Sequence, residues 1–366
     1  MKKVISILIP ILLISILGAV DFDLSGEFRT RAAMYNDSSE DAGGHIDNRF
    51  RLNMDSQLVK GLDIHAMFEV GNITWGDSGT GGGLDTGGIN VETDELYIDY
   101  LIQALDAKIR VGQQYWADHR GLVLDDFFSG VMLTKEDFMG MKAELGMIKV
   151  MEGNPNSVDD YNVFLGSVYG ESPMPFGLTV MGGYLADQNV ANLSILPYVT
   201  LQAGPATVDV TPFFDYQIMP NADDQMGMGV AVKADADLGM LKVGGDVLFA
   251  AENGITTLSP WYQNGLYIYG IGSHHDGVNL YWGTPYSMNT DSFISAVANV
   301  SAPMGEKMNL FAAAGMVQDH GTEINAGIHY QVVEDMMTLT GYGAYGMHDT
   351  NDVNNYVLGT TLQINF

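Results

Sequence analysis

Residues 354–366, Asn354-Asn355-Tyr356-Val357-Leu358-Gly359-Thr360-Thr361-Leu362-Gln363-Ile364-Asn365-Phe366, decide how the rest of the chain is read. Tyr356, Leu358, Thr360, Leu362, Ile364 and Phe366 share one parity. Val357, Gly359, Thr361, Gln363 and Asn365 share the other, so the stretch has a period of two with one apolar face. A last strand in an open sheet leaves an edge of unpaired backbone groups. In a closed barrel it pairs with the first strand and the edge disappears. The competing reading is the final strand of a soluble sandwich, so the remaining residues must show whether a barrel can be supplied.

A terminal amphipathic strand ending on Phe resembles the assembly signal of Gram-negative outer-membrane β-barrels. That resemblance implies that Tyr356, Leu362, Ile364 and Phe366 face lipid and serve the barrel-assembly machinery. At the other end, Lys2 and Lys3 precede an apolar run over residues 4–17 and the small residues Gly18 and Ala19. The run is shorter than the ~20 residues of a spanning helix. Residues 1–20 therefore read as a cleaved secretory signal, leaving 21–366 as a single barrel domain. No later stretch is long and apolar enough for a transmembrane helix, so any membrane crossing is made by strands.

Without the signal, 14 basic residues stand against 45 acidic ones, a formal charge of −31. Such a chain does not bind nucleic acid through phosphates, which needs clustered Lys and Arg. Cysteine is absent, which excludes disulfides and thiolate metal sites. The 44 glycines, 18 tyrosines and 15 phenylalanines suit short strands, tight turns and aromatic girdles. Acidity alone would fit disorder, but 46% hydrophobic residues argue against it.

From Asp21 onward, alternating segments are joined by connections that are short and long in turn. Phe22, Leu24, Phe28 and Met34 oppose Asp23, Glu27, Arg29 and Arg31; Phe50, Leu52 and Met54 oppose Arg49, Arg51 and Asp55. Leu62, Ile64, Phe68 and Val70 oppose Asp63, His65 and Glu69. Further strands are expected near 91–103, 107–118, 129–136, 141–152, 159–170, 177–187, 193–202, 206–218, 226–238 and 241–251. The last are expected near 287–300, 307–319, 322–333, 337–348 and 354–366. The total is eighteen, with sixteen as the alternative because Lys149 sits on an apolar parity and implies a bulge or a wrong boundary near 141–170. Short turns at 60–61, 104–106, 137–140, 171–176, 204–205, 239–240, 304–306 and 334–336 all fall at one end. The long connections, including 76–90, 119–128 and 252–286, fall at the other, which is the outer-membrane arrangement. The fold expected is therefore an all-β, transmembrane, antiparallel up-and-down barrel, wide enough to leave an aqueous lumen.

Few motifs point to chemistry. The glycines of Gly341-Tyr342-Gly343-Ala344-Tyr345-Gly346 fit a dinucleotide fingerprint, but they lie within a strand with no helix after them. The glycines between 79 and 88 lack the Lys-Ser or Lys-Thr of a phosphate loop. Ser273, His274, His275 and Asp276 are a consecutive run, whereas a catalytic triad needs convergence in space. Acidic pairs at Asp125-Asp126, Asp159-Asp160, Asp223-Asp224 and Asp349 with Asp352 lack the spacing of a dedicated calcium loop. They read as solvated loop carboxylates, able at most to hold Ca²⁺ or Mg²⁺ loosely beside lipopolysaccharide. No cofactor and no enzymatic activity are expected.

Positive charge is the informative constellation. Eleven of the fourteen mature basic residues precede residue 150, and all six arginines lie in the first third. Parity turns Arg29, Arg31, Arg49, Arg51, Lys108 and Arg110 inward, since a charge at the lipid midplane costs ~2–4 kcal/mol. Glu69, Glu95 and Asp99 are expected on the same wall, where they neutralise the arginines. A basic strip in an acidic lumen sets up a transverse field that selects and orients polar solutes.

Residues 107–134 carry a second resemblance. Ala107-Lys108-Ile109-Arg110-Val111-Gly112-Gln113-Gln114 is followed by Asp118-His119-Arg120-Gly121-Leu122 and then by Asp125-Asp126-Phe127-Phe128-Ser129-Gly130-Val131-Met132-Leu133-Thr134. Together with Phe28-Arg29-Thr30-Arg31, Asn48-Arg49-Phe50-Arg51-Leu52 and Glu95-Leu96-Tyr97-Ile98-Asp99, this is similar to the alginate-export family of outer-membrane barrels, most clearly over residues 22–135. The resemblance implies eighteen strands and makes Arg110, Arg120, Asp125, Asp126 and the 119–128 loop constriction residues. Gln113 and Met132 stand where the family pattern has arginine, so alginate as cargo does not carry over. The expectation is a porin-like channel for passive diffusion of small polar solutes or cations. The alternatives are an exopolysaccharide secretion pore, or a structural or adhesin barrel.

Overall fold

The computed structural model describes residues 21–36, 42–84, 91–152, 159–185, 190–219, 223–270, 284–287, 291–349 and 354–366. The expected signal segment, the run 273–276 and Asp352 lie outside the described residues. Eighteen strands follow in order: β1 (Asp23–Asn36), β2 (Ala42–Val59), β3 (Leu62–Thr74), β4 (Val91–Ile102), β5 (Ala107–Ala117), β6 (Asp125–Phe138), β7 (Met141–Met151), β8 (Tyr161–Gly170) and β9 (Phe176–Leu185). The second half comprises β10 (Val190–Ala203), β11 (Ala206–Ile218), β12 (Gln225–Asp237), β13 (Lys242–Ala250), β14 (Phe293–Met304), β15 (Met308–Val317), β16 (Gly321–Val333), β17 (Met337–His348) and β18 (Asn354–Asn365).

Each strand pairs antiparallel with its sequence neighbours, and β1 pairs with β18, so the sheet closes on itself. The count is eighteen rather than sixteen. Lys149 lies at the expected irregularity: the β7–β8 register shifts between Lys149 and Met151. There its ammonium sits 2.6 Å from Asp160 and 2.7 Å from Glu152, at the strand end where charge is solvated.

Two boundaries differ from the sequence reading. β6 starts at Asp125 rather than 129, because Asp125 and Asp126 pair with Ala117 and Trp116 and lengthen the ladder. β14 starts at Phe293 rather than 287, because Tyr286 is drawn into the barrel interior and is fully buried there.

The seam between the first and last strands is fastened at both ends. Gly26 and Phe366 exchange main-chain hydrogen bonds of 2.9 and 3.1 Å. A Cβ at Gly26 would collide with the Arg51 carbonyl and the Phe366 ring, so glycine is what lets the aromatic lie flat here. The Phe366 ring stacks on Phe50 at 5.9 Å. At the opposite end the buried Asn36 side chain donates to the Asn354 carbonyl (2.8 Å) and accepts from the Tyr356 N–H (2.6 Å).

The outer face is apolar. Leu145, Phe164, Leu193, Met226, Phe249 and Leu358 are exposed on it. Exposed Tyr115, Tyr184, Tyr216 and Tyr345 lie near the long-loop ends of their strands, and Tyr100, Phe138, Tyr330 and Phe366 near the short-turn ends. An apolar belt between two aromatic rings is what a bilayer requires of a barrel. Val357 and Thr361 of β18 are buried on the opposite, inner face, as the alternation predicts.

Candidate functional site

The wall of β1–β5 carries the expected basic residues, and carboxylates interleave them. Arg31 grips Asp47 in a two-point contact of 3.0 and 2.8 Å, with both side chains buried. Arg49 donates to Glu27 (2.9 Å), and Arg51 to Glu69 (2.7 Å), with Asp94 3.5 Å further along. Asp99 receives Arg110 through two bonds of 2.8 and 2.9 Å and has Lys108 at 3.1 Å. The Arg110 guanidinium lies 3.7 Å above the Tyr97 ring. Arg29 donates to the Asn72 amide oxygen (3.0 Å), and Glu95 faces His65 at 3.3 Å. Pairing across neighbouring strands places Arg51 opposite Glu69 and Asp99 opposite Arg110, while Arg29 lies opposite Arg49, with Asn72 and Glu27 as their acceptors. The strip interleaves charges of both signs.

The opposite wall is built differently. After β5 the chain turns into the lumen, and Leu122, Val123 and Leu124 are completely enclosed. The turn is organised by the buried Asp118. Its carboxylate accepts the main-chain N–H groups of Arg120 (3.2 Å), Leu122 (3.0 Å), Val123 (2.7 Å) and Leu124 (2.9 Å). Burial pushes the Asp118 carboxyl above its ordinary range, against the pull of those four donors. The long connection after β13 folds onto this turn. Leu258 and Ser259 donate to the Val123 carbonyl (2.9 and 3.2 Å), Trp261 donates to Gly121 (2.9 Å), and Asp125 donates back to Ser259 (2.8 Å). The Tyr286 hydroxyl donates to the Leu122 carbonyl (3.0 Å). Ile255, Leu266 and Ile268 pack with Phe213, Leu248 and Phe293 of the wall, giving the barrel an apolar core inside its own lumen.

Wall carboxylates pin that connection. Buried Glu323 accepts the N–H groups of Tyr267 (2.8 Å), Ile268 (2.8 Å) and Tyr269 (3.0 Å). Buried Asp215 accepts both the N–H and the hydroxyl of Thr256 (3.1 and 2.6 Å). Arg120 reaches from the turn to the far wall, 2.5 Å from Asp246 and 3.5 Å from Asp209. The Tyr262 hydroxyl donates to the same Asp246, and desolvation raises the Tyr262 pKa far above its ordinary value. His119 stacks face to face on Tyr198 (3.6 Å) and meets Asp209 at 2.5 Å.

Arg120 thus spans from the inward turn to the far wall. Asp125 and Asp126, also expected at a constriction, are strand residues beside that turn rather than solvated loop acids. Asp125 accepts from the Tyr115 hydroxyl (2.5 Å), and Asp126 accepts from the Ser259 hydroxyl. Among the described residues no group of three or more His, Asp or Glu side chains converges on a metal position.

Asp209, Asp215, Asp246, Tyr262 and Glu323 were not legible as site residues. In β11 and β13 the inner face carries Phe213 or Leu248 and the outer face Phe214 or Phe249, so alternation does not separate lumen from lipid. The usable signal was the inner carboxylates set among apolar residues in these strands, two in β11 and one in β13, since a charge on an apolar face needs partners.

Two cavities flank the inward loops. One, of about 630 Å³, lies along the arc of wall from β12 to β18 and β1, with Asn299, Asn325, His329, Thr340 and Arg29 in its lining. The second, of about 480 Å³, is lined by His119, Arg120, Asp125 and Asp209. Lys233 and Gln263 line both.

No family model and no curated protein sequence matches this chain. Solved structures do. The chain is similar to Pseudomonas aeruginosa OpdK with vanillate (TM-score 0.62, 10% identity, covering 94% of this chain and 98% of that one). It is also similar to P. aeruginosa OccK2 (OpdF) in complex with glucuronate (0.60, 11%, 94% and 98%) and to a BenF-like porin from Pseudomonas fluorescens Pf-5 (0.59, 13%, 94% and 98%). The chain has the fold of an outer-membrane porin. These findings support the porin barrel and lend nothing to the narrower alginate-export likeness.

Proposed function

We propose that this protein is a passive channel of the Gram-negative outer membrane for small polar solutes, with a preference for cations. One observation carries the proposal: among the described residues, polar cavities remain inside the barrel beside the inward loops. The two cavities share the lining residues Lys233 and Gln263. A structural or adhesin barrel has no need of polar cavities beside its inward loops. The similar porins solved with vanillate and glucuronate hold small organic solutes, which supports the same size class here.

Cation preference follows from charge. The chain carries a formal charge of −31 without residues 1–20, and the arginines are matched by carboxylates rather than standing as an uncompensated positive strip. Export of a polyuronate is the weaker reading. Arg110 and Arg120, the two arginines that match that pattern, are already held by Asp99, Asp209 and Asp246. In this reading the lipid and lipopolysaccharide of the outer membrane surround the apolar belt. Tyr356, Leu362, Ile364 and Phe366 serve the barrel-assembly machinery, and residues 1–20 direct secretion.

Purified protein in a planar bilayer tests the proposal. Discrete conductance steps with a cation-selective reversal potential are expected. A folded barrel that passes no current overturns it.

A further inference from the structure

Three residues lining the larger cavity carry buried polar atoms with no hydrogen-bond partner in the protein. Asn264, Asn325 and Thr361 line it and are all more than nine-tenths buried. Asn264 uses its amide oxygen to accept the Leu266 N–H (3.1 Å), which leaves its Nδ2 without a protein partner. Asn325 spends its Nδ2 on the Gly265 carbonyl (3.1 Å) and the Glu323 carboxylate (3.0 Å), which leaves its Oδ1 without one. The Thr361 hydroxyl oxygen is likewise unpartnered within the protein. The amide orientations are fixed by chemistry, because a main-chain N–H can only donate and a carboxylate can only accept. The residues lining the cavity therefore carry one unused donor, one unused acceptor and one group that is both. Each is costly to leave unmet when buried.

Aromatic surface borders these atoms. His329 stacks on Phe311 at 4.6 Å, and Tyr267 stacks on Tyr342 at 4.5 Å. Formal charge in the lining cancels, with Arg29 and Lys233 against Asp235 and Asp246. A carboxylate solute gains no net attraction there. A hydroxyl-rich, uncharged solute fits, because every O–H both donates and accepts, and ring C–H faces settle on aromatic planes.

We propose that this cavity is a binding subsite for an uncharged polyhydroxylated solute of monosaccharide size, a stopping point on the conduction path. The proposal rests on the channel reading for its role in transport, but not for binding itself. A volume of about 630 Å³ lies within the ~300–1,000 Å³ of ordinary small-molecule sites.

Saturation-transfer NMR on the detergent-solubilised protein, with glucose as the probe, tests binding. A polyethylene glycol of similar mass, which can accept hydrogen bonds but has few donors, is the control. Glucose should saturate a weak site and the glycol should not. Thr361→Val keeps the side-chain shape and removes the unpartnered hydroxyl; Asn264→Asp keeps the acceptor for Leu266 and removes the unpartnered donor. Each should weaken glucose binding about five-fold, the loss of one hydrogen bond. Equal signals from glucose and the glycol, or unchanged affinity in both variants, overturn the subsite. Conductance recorded in parallel separates the two readings. A barrel that conducts without binding glucose loses the subsite and keeps the channel. One that binds glucose without conducting keeps the subsite and loses the channel.

Discussion

The wall of β1–β5 and the wall of β11–β17 use the same acidic side chains for different ends. On the first, Asp47, Glu69 and Asp99 face arginines, and each pair joins strands of the wall itself. On the second, Asp215 and Glu323 accept main-chain N–H groups from a loop that has come inside, and Asp246 takes Arg120 and Tyr262. A carboxylate matched by an arginine of a neighbouring strand sets charge of both signs along the wall, which gives the proposed channel a field for passing solutes. A buried carboxylate that satisfies several amides fixes a loop in place, and removing it strands those amides. In the proposed channel, one wall tunes what passes and the other sets how wide the passage is.

That division can be broken most forcefully at Glu323. Glu323→Ala leaves the amides of Tyr267, Ile268 and Tyr269 without their acceptor in the interior. At about 1–3 kcal/mol for each stranded donor, the loop should detach. Single-channel conductance should rise severalfold and become noisy, while heat-modifiable gel mobility shows a folded barrel. Unchanged conductance would remove the loop from the constriction.

Arg120→Gln should come next. It breaks the contacts with Asp246 and Asp209 at a cost of about 3 kcal/mol, because the buried Asp246 carboxylate loses its counter-ion and keeps only the Tyr262 hydroxyl. Conductance should rise by less than in Glu323→Ala. Cation selectivity should sharpen, since one positive charge leaves the narrowest region. Selectivity moving toward anions would show that Arg120 does not face the conducting path.

On the other wall, Arg49→Glu and Arg51→Glu should shift the reversal potential toward cations with little change in conductance. A change in conductance as large as that of Glu323→Ala would erase the distinction between the walls. The smallest effect on transport belongs to Phe366→Ala. It removes the ring stacked on Phe50 but keeps the main-chain bonds to Gly26. Folded barrel should accumulate more slowly in refolding or cell fractionation assays, with conductance unaltered.

How much was legible in the sequence follows the same line. Eighteen strands and most of their ends could be read because lipid demands an apolar outer face and the lumen of β1–β5 is charged. Arg29, Arg49 and Arg51 then fell on the inner parity unambiguously. The inward loops could not be read, because Leu122, Val123 and Ile268 look like any apolar loop residues until something covers them. Their burial is also what made the inner faces of β11 and β13 apolar. The one strong local signal was the early part of the turn, Asp118-His119-Arg120-Gly121, which combines an Asx-type acceptor, a long cation and a glycine at φ +63°.

The most direct test of an open, loop-narrowed lumen is single-channel recording of the wild-type protein under a salt gradient. The barrel described here should open in discrete steps, with a reversal potential of cationic sign. A folded, inserted barrel with no steps, or one that prefers anions, contradicts it.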